Sequence, residues 1–315
     1  MRQFFCCLFT AILLSAPAWS QQQQFSYSRD GNSHLFRYQW HDFSNNAENV
    51  RFALPVERLQ QLPTIQPNYR KAIAQRYVWV KMMEAAQRID PRTARIKITP
   101  RGEDILLNIR ARNASLQQDV QTQLRQAQED AFTAYLHEHY FARFTTPYRQ
   151  QAVKPDHLRY IQESIEPLIP LAQAFYEKVD AQSDARQYLN LLLSWVQSIP
   201  YDELENRAQS NGAGFSPPLT LLTQNKGDCD SKAVLTAAAT RAFLPDTPML
   251  LVLLREHAVL GIALTPLSGE TLITQGNTRY VVFDPTGPAL MPFGQVSSAT
   301  KRELASGLYT TEVIN

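Results

Sequence analysis

Gly227-Asp228-Cys229-Asp230-Ser231, followed by KAVLTAAATRAF over residues 232–243, is the stretch that decides the fold. Its alanines favour helix strongly, and Leu244-Pro245 ends it because proline cannot continue the ladder. Asp228 has the side chain of a good N-cap, so Cys229 falls in the first turn. Unpaired backbone N–H groups and the positive end of the helix dipole favour a thiolate there. The carboxylates of Asp228 and Asp230 oppose that effect, so the helix end alone does not activate the thiol and a base is needed. Asp230 itself reads either as a site residue or as first-turn charge complementing the dipole, the second being preferred.

The base and its partner follow in order. Met249 to Leu254 is an apolar strand, and Glu256-His257-Ala258-Val259-Leu260-Gly261-Ile262-Ala263-Leu264 is a second with histidine at its start. Tyr280 to Phe283 is a third, running straight into Asp284-Pro285-Thr286-Gly287. The result is a nucleophile on a helix end, a histidine on a strand and an acid at the end of the next strand. In such a set the imidazole takes the thiol proton and returns it to the leaving group, while the carboxylate fixes the tautomer and stabilises the charged ring. Taken singly, a histidine placed like His257 is more often a satisfied core or rim residue, and an aspartate placed like Asp284 an ordinary turn residue. Their order behind a lone cysteine is what joins them.

Cysteine usage sharpens the point. The chain has three cysteines, Cys6, Cys7 and Cys229. The first two lie in a basic-then-apolar start, Arg2 followed by Phe4 to Leu14, that ends in Ala18-Trp19-Ser20 and reads as a cleavable secretory leader over residues 1–20. Cys6 and Cys7 stand at the start of the apolar run, not at its cleaved end, which argues against a lipoprotein leader. After cleavage only Cys229 remains, so no internal disulfide forms and a free thiol sits in an oxidising compartment. A reactive thiol and a buried, inert one are both consistent with solitude alone. No later stretch reaches the ~20 apolar residues of a membrane-spanning helix. With 31 basic against 29 acidic side chains and no basic block, nothing points to nucleic acid or an anionic membrane.

Upstream, a Gln-rich start at Gln21 to Gln24 reads as disordered, and His34 to Trp40 and Val50 to Leu54 as strands. Tyr69 to Ile89 reads as a helix closed by Asp90-Pro91. Arg95 to Thr99 and Ile105 to Arg110 form a hairpin signal, and Ser115 to about Tyr140 a long polar helix. Asp156 to Val179, disturbed by Pro167 and Pro170, and Ser183 to Ser198 read as further helices, with a loop over 210–218 that lacks a phosphate-binding glycine pattern. His137-Glu138-His139 resembles a metal site at first sight, but residues two apart on a helix face different ways. No metal or cofactor is expected. The sequence thus predicts a small α+β unit over 25–150 and a thiol domain over 151–315.

Gly227-Asp228-Cys229 with its small-residue helix, His257-Ala258-Val259-Leu260 and Phe283-Asp284-Pro285 resemble the transglutaminase-like superfamily, closest to its bacterial cysteine peptidases. Ile199-Pro200-Tyr201 and Leu219-Thr220-Leu221-Leu222 resemble the approach to the family's nucleophile. The resemblance implies an α+β fold with a papain-like core, a nucleophile helix on an antiparallel sheet, preceded by a smaller α+β domain and helices. It implies Cys229 as nucleophile, His257 as general base and acid, and Asp284 as orienting acid. The oxyanion hole would combine the Cys229 N–H with a side-chain donor, for which Gln224 and Asn225 are the nearest upstream amides, although both read equally as loop caps. The tryptophan that often follows the histidine in eukaryotic transglutaminases is absent, with Val259 and Leu260 there instead. The expected activity is that of an exported thiol hydrolase, periplasmic or secreted, cleaving amide bonds of a protein or peptide substrate. The alternatives are acyl transfer that cross-links proteins, and a non-catalytic binding or assembly module with a vestigial triad.

Overall fold

The computed structural model describes residues 21–315 apart from Glu103, Ala181 and 206–213; the expected leader and the first four residues of the loop expected over 210–218 lie outside them. The chain is α+β, and its sheets are antiparallel. It begins with a three-stranded meander, β1 (Gln22–Asp30), β2 (Ser33–His41) and β3 (Ala47–Pro55). The Gln-rich start is therefore a strand and not disordered. Its side chains carry no burial signal because β1 is mostly exposed, and it is held by its ladder to β2 and by Phe25 against Tyr38 at 5.0 Å.

A short turn of helix, α1 (Val56–Leu59), leads to α2 (Lys71–Gln87), the hairpin β4 (Ala94–Arg101) and β5 (Asp104–Ala111), and α3 (Ala114–Glu138). Asn113 caps α3 by accepting from the Leu116 N–H at 2.9 Å. These elements pack on one another through Val78, Met82, Ile98, Ala131, Val120 and Leu124. The hairpin β6 (Phe141–Thr145) and β7 (Gln151–Pro155) returns the chain to α4 (His157–Ser164), α5 (Ile169–Tyr176) and α6 (Ala185–Ser198). The helix expected over 156–179 is split between Ser164 and Ile169, where Pro167 breaks the ladder and Pro170 fits the first turn of α5.

Then come α7 (Pro218–Gln224), α8 (Cys229–Phe243), β8 (Met249–Leu253), β9 (Ala258–Ile262), β10 (Leu272–Gln275), β11 (Thr278–Phe283), α9 (Ser298–Ser306) and β12 (Thr310–Ile314). The last five strands form one sheet in the order β10-β11-β9-β8-β12. Both its faces are covered: Leu251, Leu260 and Phe283 face the main core, while Leu250, Val252 and Val282 face Leu304 of α9. Strands buried on both sides need apolar side chains at every position, which is why β8 and β9 read as unbroken apolar runs.

The main core is layered. Helices α5, α6 and α8 lie between the meander and the five-stranded sheet, and Phe36, Tyr38 and Trp40 of β2 share one apolar cluster with Trp195, Ala237 and Leu260. Trp195 meets Tyr38 edge-on at 5.2 Å, and the Trp40 indole donates to the Ser194 Oγ at 2.9 Å. By packing, then, the stretch 25–150 divides. Its first strands belong to the same core as the thiol helix, whereas α2, β4, β5 and α3 form a lobe with small cores of their own. Among the described residues no helix is long and apolar enough to cross a membrane.

Candidate functional site

Cys229 is the first residue of α8 and is half-buried. Asp228 caps the helix, its Oδ1 accepting from the Ser231 N–H at 2.9 Å and its carbonyl from the Lys232 N–H. Gly227 just before the cap lets the Leu221 side chain pack close: a Cβ there would stand 2.8 Å from Leu221 Cδ1, which would have to shift. His257 is held at the entry to β9, its carbonyl accepting from the Leu254 N–H at 2.8 Å across the β8–β9 turn. Because β11 pairs with β9 in the register Phe283↔Leu260, the end of β11 reaches the start of β9. Asp284 and His257 meet there, with His257 Nε2 and Asp284 Oδ2 2.7 Å apart.

Cys229 is brought to the same end of the sheet by the packing of α8 on β9, and the hydrogen bond its sulfur makes is to the Asp230 carboxylate. With Nε2 committed to the carboxylate, Nδ1 is the ring nitrogen left with a lone pair. Asp284 is itself fixed, its Oδ1 accepting from the Thr286 N–H at 2.9 Å and its carbonyl from Gln197 Nε2 at 2.6 Å. Gln197 is buried on α6 and also bridges both backbone groups of Met291.

The electrostatics divide the three groups. Burial pulls the His257 pKa down, but the hydrogen bond to Asp284 and that carboxylate's charge raise it net. Burial pushes Asp284 up, but the hydrogen bond to His257 and that ring's charge, and then the Thr286 N–H, hold it net below the usual carboxylate range. Cys229 goes the other way: burial, and then the charges of Asp230 and Asp228, push the thiol well up. The Asp228 carboxyl is itself raised, first by burial and then by Asp230.

Asp230 is the residue that sequence reading undervalued. The thiol donates to its Oδ1 at 3.5 Å, and its Oδ2 stands 3.4 Å from Nε2 of His157. His157 is fully buried, and its Nδ1 faces Lys154 Nζ at 3.4 Å, which pairs with Glu312 of β12 at 3.0 Å. A row of ionisable groups thus runs from the thiol to the last strand. Lys232, buried one turn below Cys229, donates to the carbonyls of Ile199 and Thr286 at 2.5 and 2.6 Å. Burial brings its pKa down to about 7, against the pull of Asp284 and Asp228. Tyr201 stands at the open side of the site; burial first and the charges of Cys229 and Asp228 next push its phenol up to about 12. His157, Lys154 and Glu312 had no sequence signal, since they lie far along the chain from Cys229 and only the fold brings them in.

The two upstream amides are placed differently. Asn225, in left-handed conformation after α7, exchanges two side-chain hydrogen bonds with Gln22 of β1, at 3.0 and 2.6 Å. Gln224 is exposed at the end of α7. On α3, the His139 ring turns back to the Tyr135 carbonyl at 2.9 Å, and the described residues hold no group of three or more potential metal ligands. No family model, curated protein or solved structure matches the chain.

Proposed function

We propose that this protein is an exported thiol hydrolase of the transglutaminase-like type, with a papain-like core and Cys229, His257 and Asp284 as its catalytic groups. The observation that carries the reading is the 2.7 Å His257–Asp284 contact at the entry of β9, the strand on which the Cys229 helix packs. His257 Nδ1 takes the thiol proton, and the thiolate attacks the carbonyl carbon of an amide. The Cys229 N–H at the helix end receives the developing oxyanion. The imidazolium then protonates the leaving nitrogen, the C–N bond breaks and a thioester remains. Water, deprotonated by the neutral ring, releases the acid and restores the thiol. Passing the acyl group to an amine shares the first half of this course, so incorporation of a labelled amine separates transfer from hydrolysis.

One observation favours a second reading, a binding module with an inert thiol: burial and two carboxylates raise the Cys229 pKa in the resting state. The pH dependence of iodoacetamide alkylation, for the unaltered protein, His257→Ala and Asp284→Ala, decides between them. The catalytic reading expects reaction well below the free-cysteine pKa of ~8.5 and loss of that advantage without His257. A midpoint at or above that of free cysteine in all three proteins would establish the inert thiol.

A further inference from the structure

The lobe built from α2, β4, β5 and α3 has a feature that the chain-wide charge balance hides. Alternation along the hairpin sorts its side chains by face. Ile105, Leu107 and Ile109 turn toward the helices and are half-buried, whereas Leu106, Asn108 and Arg110 are exposed on the other side. Opposite them on β4 stand Arg95 and Lys97, both exposed, and at the turn end of the same face exposed Arg101 lies across from exposed Asp104. The register places Arg95 directly across from Arg110. Like charges directly opposed destabilise a sheet, so this pair opposes the hairpin's own stability. Over residues 88–112 basic side chains number seven against three acidic.

The second feature is the edge. The sheet has two strands, so the outer side of β5 has no strand neighbour among the described residues. A groove runs along that edge between β5 and α3. Ile105, Leu107, Ile109, Gln121 and Gln128 line a hollow of about 300 Å³, which continues past Phe132 and Val78 into one of about 470 Å³. Arg125 lines both hollows. Of the acids at the far end, Glu129 is paired with Arg143 at 2.9 Å.

We propose that this edge is a docking site for an extended segment of another protein, which adds as a third strand beside β5 and alternates apolar with acidic residues. The alternation follows from the two faces. A strand laid against β5 continues both of them, so every second side chain enters the groove, over the apolar floor of Ile105, Leu107 and Ile109 and against the glutamine and arginine wall of α3, and the others join the basic face. Backbone pairing supplies register-independent affinity, and the two chemistries supply selectivity. The site is separate from the thiol, so its occupancy does not depend on Cys229 chemistry.

The test is fluorescence anisotropy of a labelled peptide alternating glutamate and valine, with the whole chain carrying Cys229→Ala, joined to amide hydrogen exchange. Binding with slowed exchange across 104–111 is expected. The double variant Lys97→Glu with Arg110→Glu, both exposed and outside the lobe's core, should weaken it by about tenfold, the sum of two reversed surface charges. A lysine–valine peptide should bind at least as poorly. Equal binding of the two peptides, unchanged affinity in the double variant, or binding without protection of β5 would overturn the proposal. So would capture of phosphatidylglycerol vesicles in preference to the peptide, which would make the basic face a lipid contact.

Discussion

At the scale of single residues, Asp230 holds the most consequential position. Its carboxylate lies between the thiol, 3.5 Å away, and the buried ring of His157 at 3.4 Å, and its charge helps to raise the thiol. Asp230→Asn keeps a hydrogen-bond acceptor and removes the charge. The alkylation midpoint of Cys229 should therefore fall by about one pH unit, as expected for loss of a like charge in contact. A midpoint that stays in place would mean the carboxyl is already neutral at rest. Asp230 also shows where sequence reading stopped. Its position in a first turn gave a sufficient local reason for an acid, and the long-range partner that gives it a second role is invisible in spacing. Cys229, His257 and Asp284 were legible because each sits at the boundary of a strongly patterned element, where a polar residue interrupts an apolar run.

Among elements, the loop after β11 is the one whose shape the site depends on. Gly287 has φ +68°, and a Cβ there would stand 2.2 Å from the Gln197 carbonyl oxygen. That contact is backbone, which cannot swing aside, and Gln197 is the residue that anchors Asp284. Gly287→Ala should cost about 1–3 kcal/mol in urea unfolding, the range for overpacking and left-handed strain. It should also erase the His257 dependence of alkylation, because Asp284 is displaced. Stability lost with the alkylation profile intact would place the strain elsewhere. The helices and strands of this half were readable from composition: alanines marked α8, and unbroken apolar runs marked β8, β9 and β11. Strand β10 (Leu272–Gln275), with the sequence LITQ and one buried residue, gave no comparable signal, nor did β12, a half-exposed edge. Edge strands draw their stability from backbone ladders, which leave little trace in side-chain type.

For the whole molecule, two titrations pull stability in opposite directions. Asp284 has its folded pKa below 3.8, so its contribution is present above that pH and lost as pH falls through the folded value. His257 is raised above 6.5, so its contribution is full below 6.5 and lost as pH rises through the folded value. Their contact thus stabilises most between those limits. His257→Ala should accordingly cost more stability at about pH 5 than at about pH 9 in paired urea titrations. Lys232 has the reverse sign. Lowered from 10.5 to about 7, it makes the unfolded chain the better proton acceptor between those values, so stability rises with pH there. Lys232→Met should flatten that rise, and an unchanged slope would assign it to another group. The meander's place in the main core was not legible, because aromatic alternation in β2 announces a buried face without naming what covers it. Enclosure of α8 between two sheets carries one more consequence, for kinetics. Its amides from Ser231 to Arg241 have no solvent-facing side from which to open locally, so their deuterium uptake should wait for global unfolding. The thiol at the rim would then be modified on the timescale of the site, while the backbone one turn below it keeps time for the entire fold.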